Sequence, residues 1–376
     1  MNGPADDFGA RPRGQGPVSV DPSFGLIDAA RRMIRLGGNL ADRRRRAVTI
    51  ADTPKDEIWR DGKISLARYR PLVEPELGPL VIVHGMVGRQ SMTDLEPKRS
   101  LVRRLLERAV DVYVLDWGNP TRADRYRNLA DYADLSLGDA LDAVEAHSGE
   151  PRAVLFGLCQ GGVFAACHAA LYPARLKGLA LAVTPIDFHA DRTAPALGRG
   201  QLNVWLRALP AELIEALIAD GGNVPGHLSG QVFNGLQPGK WVAKYTADLA
   251  EIGDDPDALD TFLRMEKWLA DRPDQPGALA RDWLIGLYRE NRLVEGRLTL
   301  DGVRVDLGCI TCPVLNVYAE HDHIIPPPCS RALKQHLRNA AYREIAVPTG
   351  HIGVFVSQKA QGIVAPGMVE WMRQAA

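Results

Sequence analysis

The chain has 376 residues, of which 46% are hydrophobic and 24% are charged, and its formal net charge at pH 7 is −1. That length can fold as one large α/β domain with an inserted subdomain. The near-zero net charge gives no general attraction to nucleic acid or anionic lipid, and no uninterrupted apolar run of about 18 residues could form a transmembrane segment. Five cysteines, an odd number, and no apolar N-terminal signal segment predict a protein of the reducing cytoplasm.

The first 50 residues are predicted to hold a flexible segment followed by a helix. Residues 1 to about 21 are rich in Gly, Pro, Asp and Arg, a composition that favours disorder. Residues 22–36 place Phe24 and Ile34 on one helical stripe, and Gly37 is a typical helix stop.

Two parts of the chain, residues 51–188 and 305–376, alternate short apolar runs with helical patterns. This alternation predicts an α/β core with a mostly parallel central sheet, covered by helices on both faces. Residues 189–304 have an irregular, largely helical pattern, and we interpret them as a cap subdomain inserted over the carboxyl edge of the sheet. The predicted core strands are residues 63–69, 79–83, 110–115, 153–156, 179–183, 314–318 and 342–347, and the predicted core helices include 100–108, 135–147, 163–172 and about 368–373.

The sequence G-L-C-Q-G-G at residues 157–162 lies between a predicted strand and a predicted helix, with Cys159 at its centre. This is the strand–turn–helix context of a nucleophile elbow, with cysteine in place of serine. The flanking glycines let strand and helix approach closely, and the helix N-terminus directs N–H groups at the sulfur, which favours the thiolate. Small residues occur at many strand–helix turns, so the motif alone does not separate a nucleophile from a structural turn.

Two further polar residues follow later strands of the predicted sheet: Asp322 after 314–318 and His351 after 342–347. Catalytic groups of open α/β sheets lie just past the carboxyl ends of strands, and the chain order cysteine, aspartate, histidine matches that of α/β-hydrolases. Asp322 alone could cap the next helix, and His351 alone could be an ordinary loop histidine. Together with Cys159 they predict a catalytic triad.

The predicted chemistry is acyl transfer. His351 takes the proton from Cys159, and the thiolate attacks a carbonyl carbon. The backbone N–H of Gln160 is one expected oxyanion donor, and a second is expected from Met86 or Val87, in the loop after the first buried strand. A thiol that attacks a thioester forms another thioester, which keeps the acyl group activated. This favours an acyltransferase that uses acyl-CoA, without excluding a hydrolase.

We expect no metal or other cofactor. Cys309 and Cys312 form a C-x-x-C pair without a second pair or nearby histidines at ligand spacing. An apolar strand follows them, so we interpret them as packing cysteines rather than as a zinc or redox site.

Several segments of the chain form a specific pattern: 116–118 (DWG), 157–162 (GLCQGG), 183–188 (VTPIDF), 262–268 (FLRMEKW), 317–323 (VYAEHDH), 350–353 (GHIG) and 359–361 (KAQ). With these segments the chain resembles the catalytic subunit of polyhydroxyalkanoate synthases, especially the short two-component kind, classes III and IV. The resemblance runs from about residue 53 to residue 361, most of the chain. It implies an acyltransferase within the α/β-hydrolase superfamily.

The resemblance implies a Cys159, Asp322 and His351 triad that polymerises (R)-3-hydroxyacyl-CoA, with 3-hydroxybutyryl-CoA as the expected donor, into a polyester with release of CoA. In that family the histidine activates the cysteine. The aspartate is assigned to help deprotonate the 3-hydroxyl of the incoming unit or chain end. His323, beside Asp322, is a possible auxiliary group.

The resemblance also implies a second, mostly helical synthase subunit, a homodimer or hetero-oligomer, and a cytoplasmic location at the surface of polyester granules. Gly88 and Ser91 stand where the family usually has an asparagine and an aromatic residue, and Gln358 replaces a usual glycine. Two alternatives stay open from the sequence. One is a cysteine hydrolase of the thioesterase or dienelactone-hydrolase kind, and the other is a non-catalytic subunit on granules.

Overall fold

A computed structural model of the chain describes residues 48–193, 200–236 and 244–375. The helix expected at residues 22–36 and nearly all of the predicted N-terminal segment lie outside these described residues. An eight-stranded sheet forms the centre of the fold. Its strands, labelled in chain order, are β1 Lys55–Asp61, β2 Ile64–Tyr69, β3 Leu77–Val83, β4 Val110–Asp116, β5 Ala153–Leu158, β6 Leu176–Ala182, β7 Val314–Ala319 and β8 Tyr342–Val347.

The strands are arranged across the sheet in the order β1-β2-β4-β3-β5-β6-β7-β8. β1 and β4 each pair with β2 in antiparallel fashion, and every other neighbouring pair is parallel. The predicted mostly parallel sheet is therefore confirmed. The central strands are apolar and buried along nearly their whole length because helices cover both faces. The carboxyl ends of β3 to β8 meet at one edge.

One strand of the sheet, β1, has no counterpart among the predicted strands. Its sequence, KDEIWRD, is mostly charged, and none of its residues is fully buried. It lies at the outer end of the sheet beside β2, with a register shift between Glu57 and Trp59. Apolar alternation does not detect a strand of this kind, since only Ile58 and Trp59 are apolar and they pack against the core side by side rather than in alternation.

The helices are labelled α1 to α13 in chain order within the described residues. The C-terminal helix spans Gln358–Ala375, far more than the predicted residues 368–373, and contains Pro366. The others are α1 Leu101–Leu106, α2 Leu137–Ser148, α3 Gln160–Leu171, α4 Gln201–Ala208, α5 Ala211–Gly221, α6 Gly226–Leu236, α7 Leu249–Ile252, α8 Pro256–Ala270, α9 Gly277–Arg281, α10 Pro327–Arg331, α11 Leu333–His336 and α12 Gly353–Val356.

Shorter elements complete the fold. The π-helical segments are Asp131–Ser136, Lys244–Asp248 and Asp282–Arg289, and they adjoin α2, α7 and α9. Three short antiparallel pairs are Asp94–Glu96 with Arg99–Ser100, Asn223–Val224 with Gln275–Pro276, and Thr299–Leu300 with Val303–Arg304. The 3₁₀ turns are Gln90–Thr93, Arg122–Asp124, Pro173–Arg175, Ala190–Thr193 and Leu307–Cys309.

The chain between β6 and β7 contains the predicted cap, residues 189–304. Helices α4 to α9 lie in its described parts, as the irregular helical pattern predicts. Its last third packs into the same buried cluster as α3, through Leu279, Trp283, Leu287 and Leu300 among others. This part of the insertion therefore contributes to the core on one face of the sheet, and the domain boundary at residue 304 stays a prediction.

The turn between β5 and α3 brings backbones into close contact. Cys159 has φ 49° and ψ −117°, in the left-handed region that L-residues rarely adopt. A Cβ added to Gly161 would lie 2.3 Å from the Val83 carbonyl oxygen, and one added to Gly157 would lie 2.4 Å from the Gly162 Cα. These glycines allow the helix to sit directly on the strands, and that contact holds Cys159 in its strained conformation.

Replacing Gly161 with Ala should lower the free energy of unfolding by at least ~2 kcal/mol, because the new methyl group meets backbone atoms that cannot rotate away. Denaturant titration would measure the loss. Gly362→Ala is the matched control. It lies inside the C-terminal helix with no atom within 4 Å of the added Cβ. This control should be neutral or more stable by about 0.5–1 kcal/mol. Equal stability of the two variants would contradict the close-contact argument.

Candidate active site

The carboxyl ends of β7 and β8 bring Asp322 and His351 together. The His351 Nδ1 lies 2.7 Å from the Asp322 Oδ2, and both side chains are almost completely buried. The other carboxylate oxygen of Asp322 accepts hydrogen bonds from the backbone N–H groups of Ile324 and Ile325, both at 2.8 Å. Asp322 is thus held at two points, and its carboxylate fixes the orientation of the imidazole ring.

Cys159, on the neighbouring elbow after β5, lies close enough to His351 for its sulfur to act on the imidazole. Burial lowers the pKa of His351, but the Asp322 carboxylate and the Cys159 sulfur outweigh it and raise the pKa to about 10. An imidazole beside a buried carboxylate readily holds a proton. The structure therefore brings together the three residues predicted from the chain order, in the sequence Cys159, His351, Asp322.

The first predicted oxyanion donor, the Gln160 N–H, belongs to the first residue of α3, where backbone N–H groups lack helical acceptors. The other two candidates differ in their bonding. The Met86 N–H donates to the Gln160 Oε1 at 2.8 Å. Within the described part of the chain, the Val87 N–H has no acceptor. Of the two loop candidates, Val87 therefore has the free donor in this structure.

The loop that carries Met86 and Val87 is held by residues at the end of α8 and just beyond it. The Arg272 Nη1 donates to the Val87 carbonyl oxygen at 3.0 Å, and the Trp268 indole donates to the Arg89 carbonyl oxygen at 3.1 Å. A Cβ at Gly88 would lie 3.0 Å from the Trp268 ring. The glycine at position 88 thus fits the tryptophan that packs above it.

His84, at the start of this loop, is buried next to Trp117, whose indole donates to its carbonyl oxygen at 2.6 Å. Burial lowers the pKa of His84 to about 4, against the opposing charge of Asp116. The ring is therefore neutral at physiological pH. It adds no positive charge beside the candidate oxyanion site.

The insertion contributes a buried aromatic residue, Tyr288, whose pKa responds to Cys159. Tyr288 packs edge-on against Phe188 and Trp283, with ring centroids 4.8 and 6.0 Å away. Burial, followed by the charges of Cys159 and Cys329, raises the pKa of Tyr288 well above its usual value. Its phenol therefore stays protonated. Sequence reasoning did not select this residue, because a tyrosine in a helical segment carries no motif.

The remaining predicted residue, His323, is half-buried next to Asp322, and its carbonyl oxygen accepts a hydrogen bond from the Gly200 N–H at 3.3 Å. Its auxiliary role stays a prediction. Among the described residues, no cluster of His, Cys, Asp and Glu could hold a metal ion. Cys312 is buried as a packing residue, whereas Cys309 is exposed. No helix in the described ranges has the length and apolarity needed to cross a bilayer.

The fold corresponds to a known class. The family model for the alpha/beta hydrolase fold matches residues 78–358, so the chain is an α/β-hydrolase-fold protein. Among solved structures it is similar to a thermophilic esterase from Thermogutta terrifontis, at 19% identity and a TM-score of 0.48, over 86% of this chain and 99% of that one.

Relatives identified by sequence show which family within this fold class the chain belongs to. The chain is 37% identical to the poly(3-hydroxyalkanoate) polymerase subunit PhaC of Allochromatium vinosum, over 95% of this chain and 99% of that one. It is 37% identical to the subunit of the same name from Synechocystis, covering 87% and 86% of the two chains. The identity to the Haloferax mediterranei subunit is 31%, over 94% and 73%. The chain belongs to the family of poly(3-hydroxyalkanoate) polymerase subunits.

The raised pKa of His351 predicts a pH-dependent contribution to stability. Such a group stabilises the folded state fully below its unfolded pKa of about 6.5, and the contribution is lost as pH rises through the folded value of about 10. The difference in unfolding free energy between wild type and His351→Gln should therefore be largest near pH 6 and shrink toward pH 10 in denaturant titrations.

The control for this titration is Gln361→Met, which removes a buried polar group that does not titrate. Its effect on stability should not change over the same pH range. A wild-type advantage over His351→Gln that grows with rising pH would mean that His351 is neutral in the folded protein.

Proposed function

We propose that this protein is the catalytic subunit of a poly(3-hydroxyalkanoate) polymerase, an acyltransferase that joins (R)-3-hydroxyacyl units from their CoA thioesters and releases CoA. Family membership supports the reaction class. The observation that carries the proposal is the buried hydrogen bond between His351 and Asp322, with Cys159 on the adjacent elbow, at the carboxyl edge of the sheet. Cys159 is the proposed nucleophile, and 3-hydroxybutyryl-CoA is the proposed donor.

In the acylation step, His351 holds the proton that has left the Cys159 thiol, as its raised pKa favours, and the thiolate attacks the thioester carbonyl. The developing oxyanion accepts hydrogen bonds from the Gln160 N–H and from the loop after β3. The intermediate collapses as the C–S bond to CoA breaks, and the imidazolium of His351 returns its proton to the leaving thiolate. One thioester is formed and one is broken, so the acyl group stays activated on Cys159.

In the elongation step, the 3-hydroxyl group of the next unit or of the chain end attacks the acyl-cysteine. His351 removes the hydroxyl proton, an ester bond forms, and the C–S bond to Cys159 breaks. The proton then passes from His351 back to the Cys159 sulfur. An alcohol is a far weaker acid than a thiol. Elongation therefore depends more on the basicity that Asp322 gives to His351 than acylation does.

The surroundings of the site support the finer parts of the proposal. The insertion contributes Tyr288 beside Cys159 and Arg272 above the loop after β3, so residues 189–304 act as a cap over the reacting groups. The name of the relatives, polymerase subunit, supports a second synthase subunit as partner. We further propose a homodimer or hetero-oligomer that works in the cytoplasm at the polyester granule surface.

The proposal is tested with (R)-3-hydroxybutyryl-CoA by following CoA release together with the fate of the acyl group, with and without the partner subunit. Wild type should release CoA and form insoluble polyester. Cys159→Ala should abolish both, and Cys159→Ser should retain only a small residual activity, because serine is a much weaker nucleophile at neutral pH. CoA release with free 3-hydroxybutyrate would identify a thioesterase, and wild-type turnover by Cys159→Ala would contradict the assignment.

Asp322→Ala should separate the two steps. We expect the variant to form the acyl-enzyme in a rapid-quench assay, because thiols are far more acidic than alcohols and an unassisted histidine can deprotonate them. Polymer formation should fall by about 100-fold or more, because deprotonating the 3-hydroxyl needs the stronger base. Asp322→Asn is the matched control for the loss of packing. Equal losses in both steps would mean that Asp322 only orients His351.

A further inference from the structure

The side chain of Gln160 connects the elbow to the loop after β3. It is completely buried, and its Oε1 accepts the hydrogen bond from the Met86 N–H at 2.8 Å. Within the described residues its Nε2 has no hydrogen-bond partner. A Cβ on Gly85 would lie 2.5 Å from the Gln160 Cβ, so the loop is packed directly on this side chain. The Met86 N–H is therefore already hydrogen-bonded to this buried side chain.

Arg272 holds the same loop from the opposite side. Its Nη1 donates to the Val87 carbonyl oxygen and its Nε to the Leu269 carbonyl oxygen, both at 3.0 Å. The guanidinium lies over the Phe233 ring, 5.2 Å from the centroid. Across the described ranges it forms no ion pair with a carboxylate. The charged guanidinium therefore interacts with backbone carbonyl groups and the face of an aromatic ring.

These two contacts lie on either side of one peptide group. Gln160 fixes the N–H of Met86, and Arg272 fixes the C=O of Val87. Between them is the Met86–Val87 peptide, whose N–H has no acceptor within the described part of the chain. Two fixed neighbours restrict the rotation of the peptide between them. An oxyanion donor needs this kind of preorganisation, because it must not reorient during the reaction.

We infer that Gln160 and Arg272 are positioning residues that aim the Val87 N–H, rather than the Met86 N–H, at the oxyanion. The inference rests on the proposed function, since it assumes acyl transfer to Cys159. Gln160 then has two roles: its backbone N–H is one oxyanion donor, and its side chain fixes the loop that supplies the other. The two donors keep a constant separation because one residue connects them.

The test compares Gln160→Met and Arg272→Met with wild type in three measurements. Steady-state kcat should fall about 10- to 100-fold, with KM changed by about twofold or less, since the lost interaction exists only in the transition state. The rate of Cys159 alkylation by iodoacetamide should stay at the wild-type value, because displacement of iodide creates no oxyanion. Thermal unfolding records any general loss of stability.

Three further variants serve as controls. Val163→Ala changes a buried position on the same helix as Gln160, and Arg281→Met removes an exposed ion pair of the insertion. Both variants should lower stability and leave kcat unchanged. Arg272→Lys should recover much of the activity, because the ammonium group can still reach a carbonyl. Replacing the backbone amide with an ester should reduce kcat more at Val87 than at Met86.

The results that would overturn the inference are specific. Parallel losses of alkylation and acyl transfer would show that the two side chains only support the fold around Cys159. An ester at Met86 that is more damaging than one at Val87 would assign the donor to Met86. Wild-type turnover that survives complete alkylation of Cys159 would overturn the proposed function, and the inference with it.

Discussion

The contact of α3 with the ends of β3 and β5 is the constraint on which the site depends. Gly157 and Gly161 leave no room for side chains between these elements, and Gly162 lies against the Thr184 side chain. The chain makes this turn with Cys159 at positive φ, and the Cys159 N–H is fixed by a hydrogen bond to the Ala182 carbonyl oxygen at 2.9 Å. The sulfur is presented above the sheet by backbone geometry, before any side-chain interaction contributes.

The parallel sheet then determines which side chains meet that sulfur. β7 and β8 end at the same edge as β5, so the loops after them deliver Asp322 and His351 without any long connection. Burial alone would keep the imidazole neutral, and the Asp322 carboxylate and the Cys159 sulfur reverse that preference. Burial also keeps the phenol of Tyr288 protonated.

The sequence predicts the parallel sheet and the order of its polar loop residues, because apolar strands and strand-end positions are local signals. It does not predict β1, whose charged residues never enter the core, or the full C-terminal helix, where Gly362 and Pro366 obscure the pattern. It also leaves Met86 and Val87 undecided. That choice depends on the bonds from Gln160 and Arg272, which lie 74 and 185 residues away from the loop positions they bind, and no short motif encodes such pairings.

The attachment of the loop after β3 to Trp268 and Arg272 links two events that a polyester-forming enzyme must keep apart. If growth of the chain displaced this segment of the insertion, water would reach the proposed acyl-cysteine. The same displacement would break the hydrogen bonds to the Val87 and Arg89 carbonyl oxygens. The oxyanion loop would then be misaligned whenever water can reach the thioester. Hydrolysis of the acyl-cysteine would therefore be slow in the conformation that is most exposed to water.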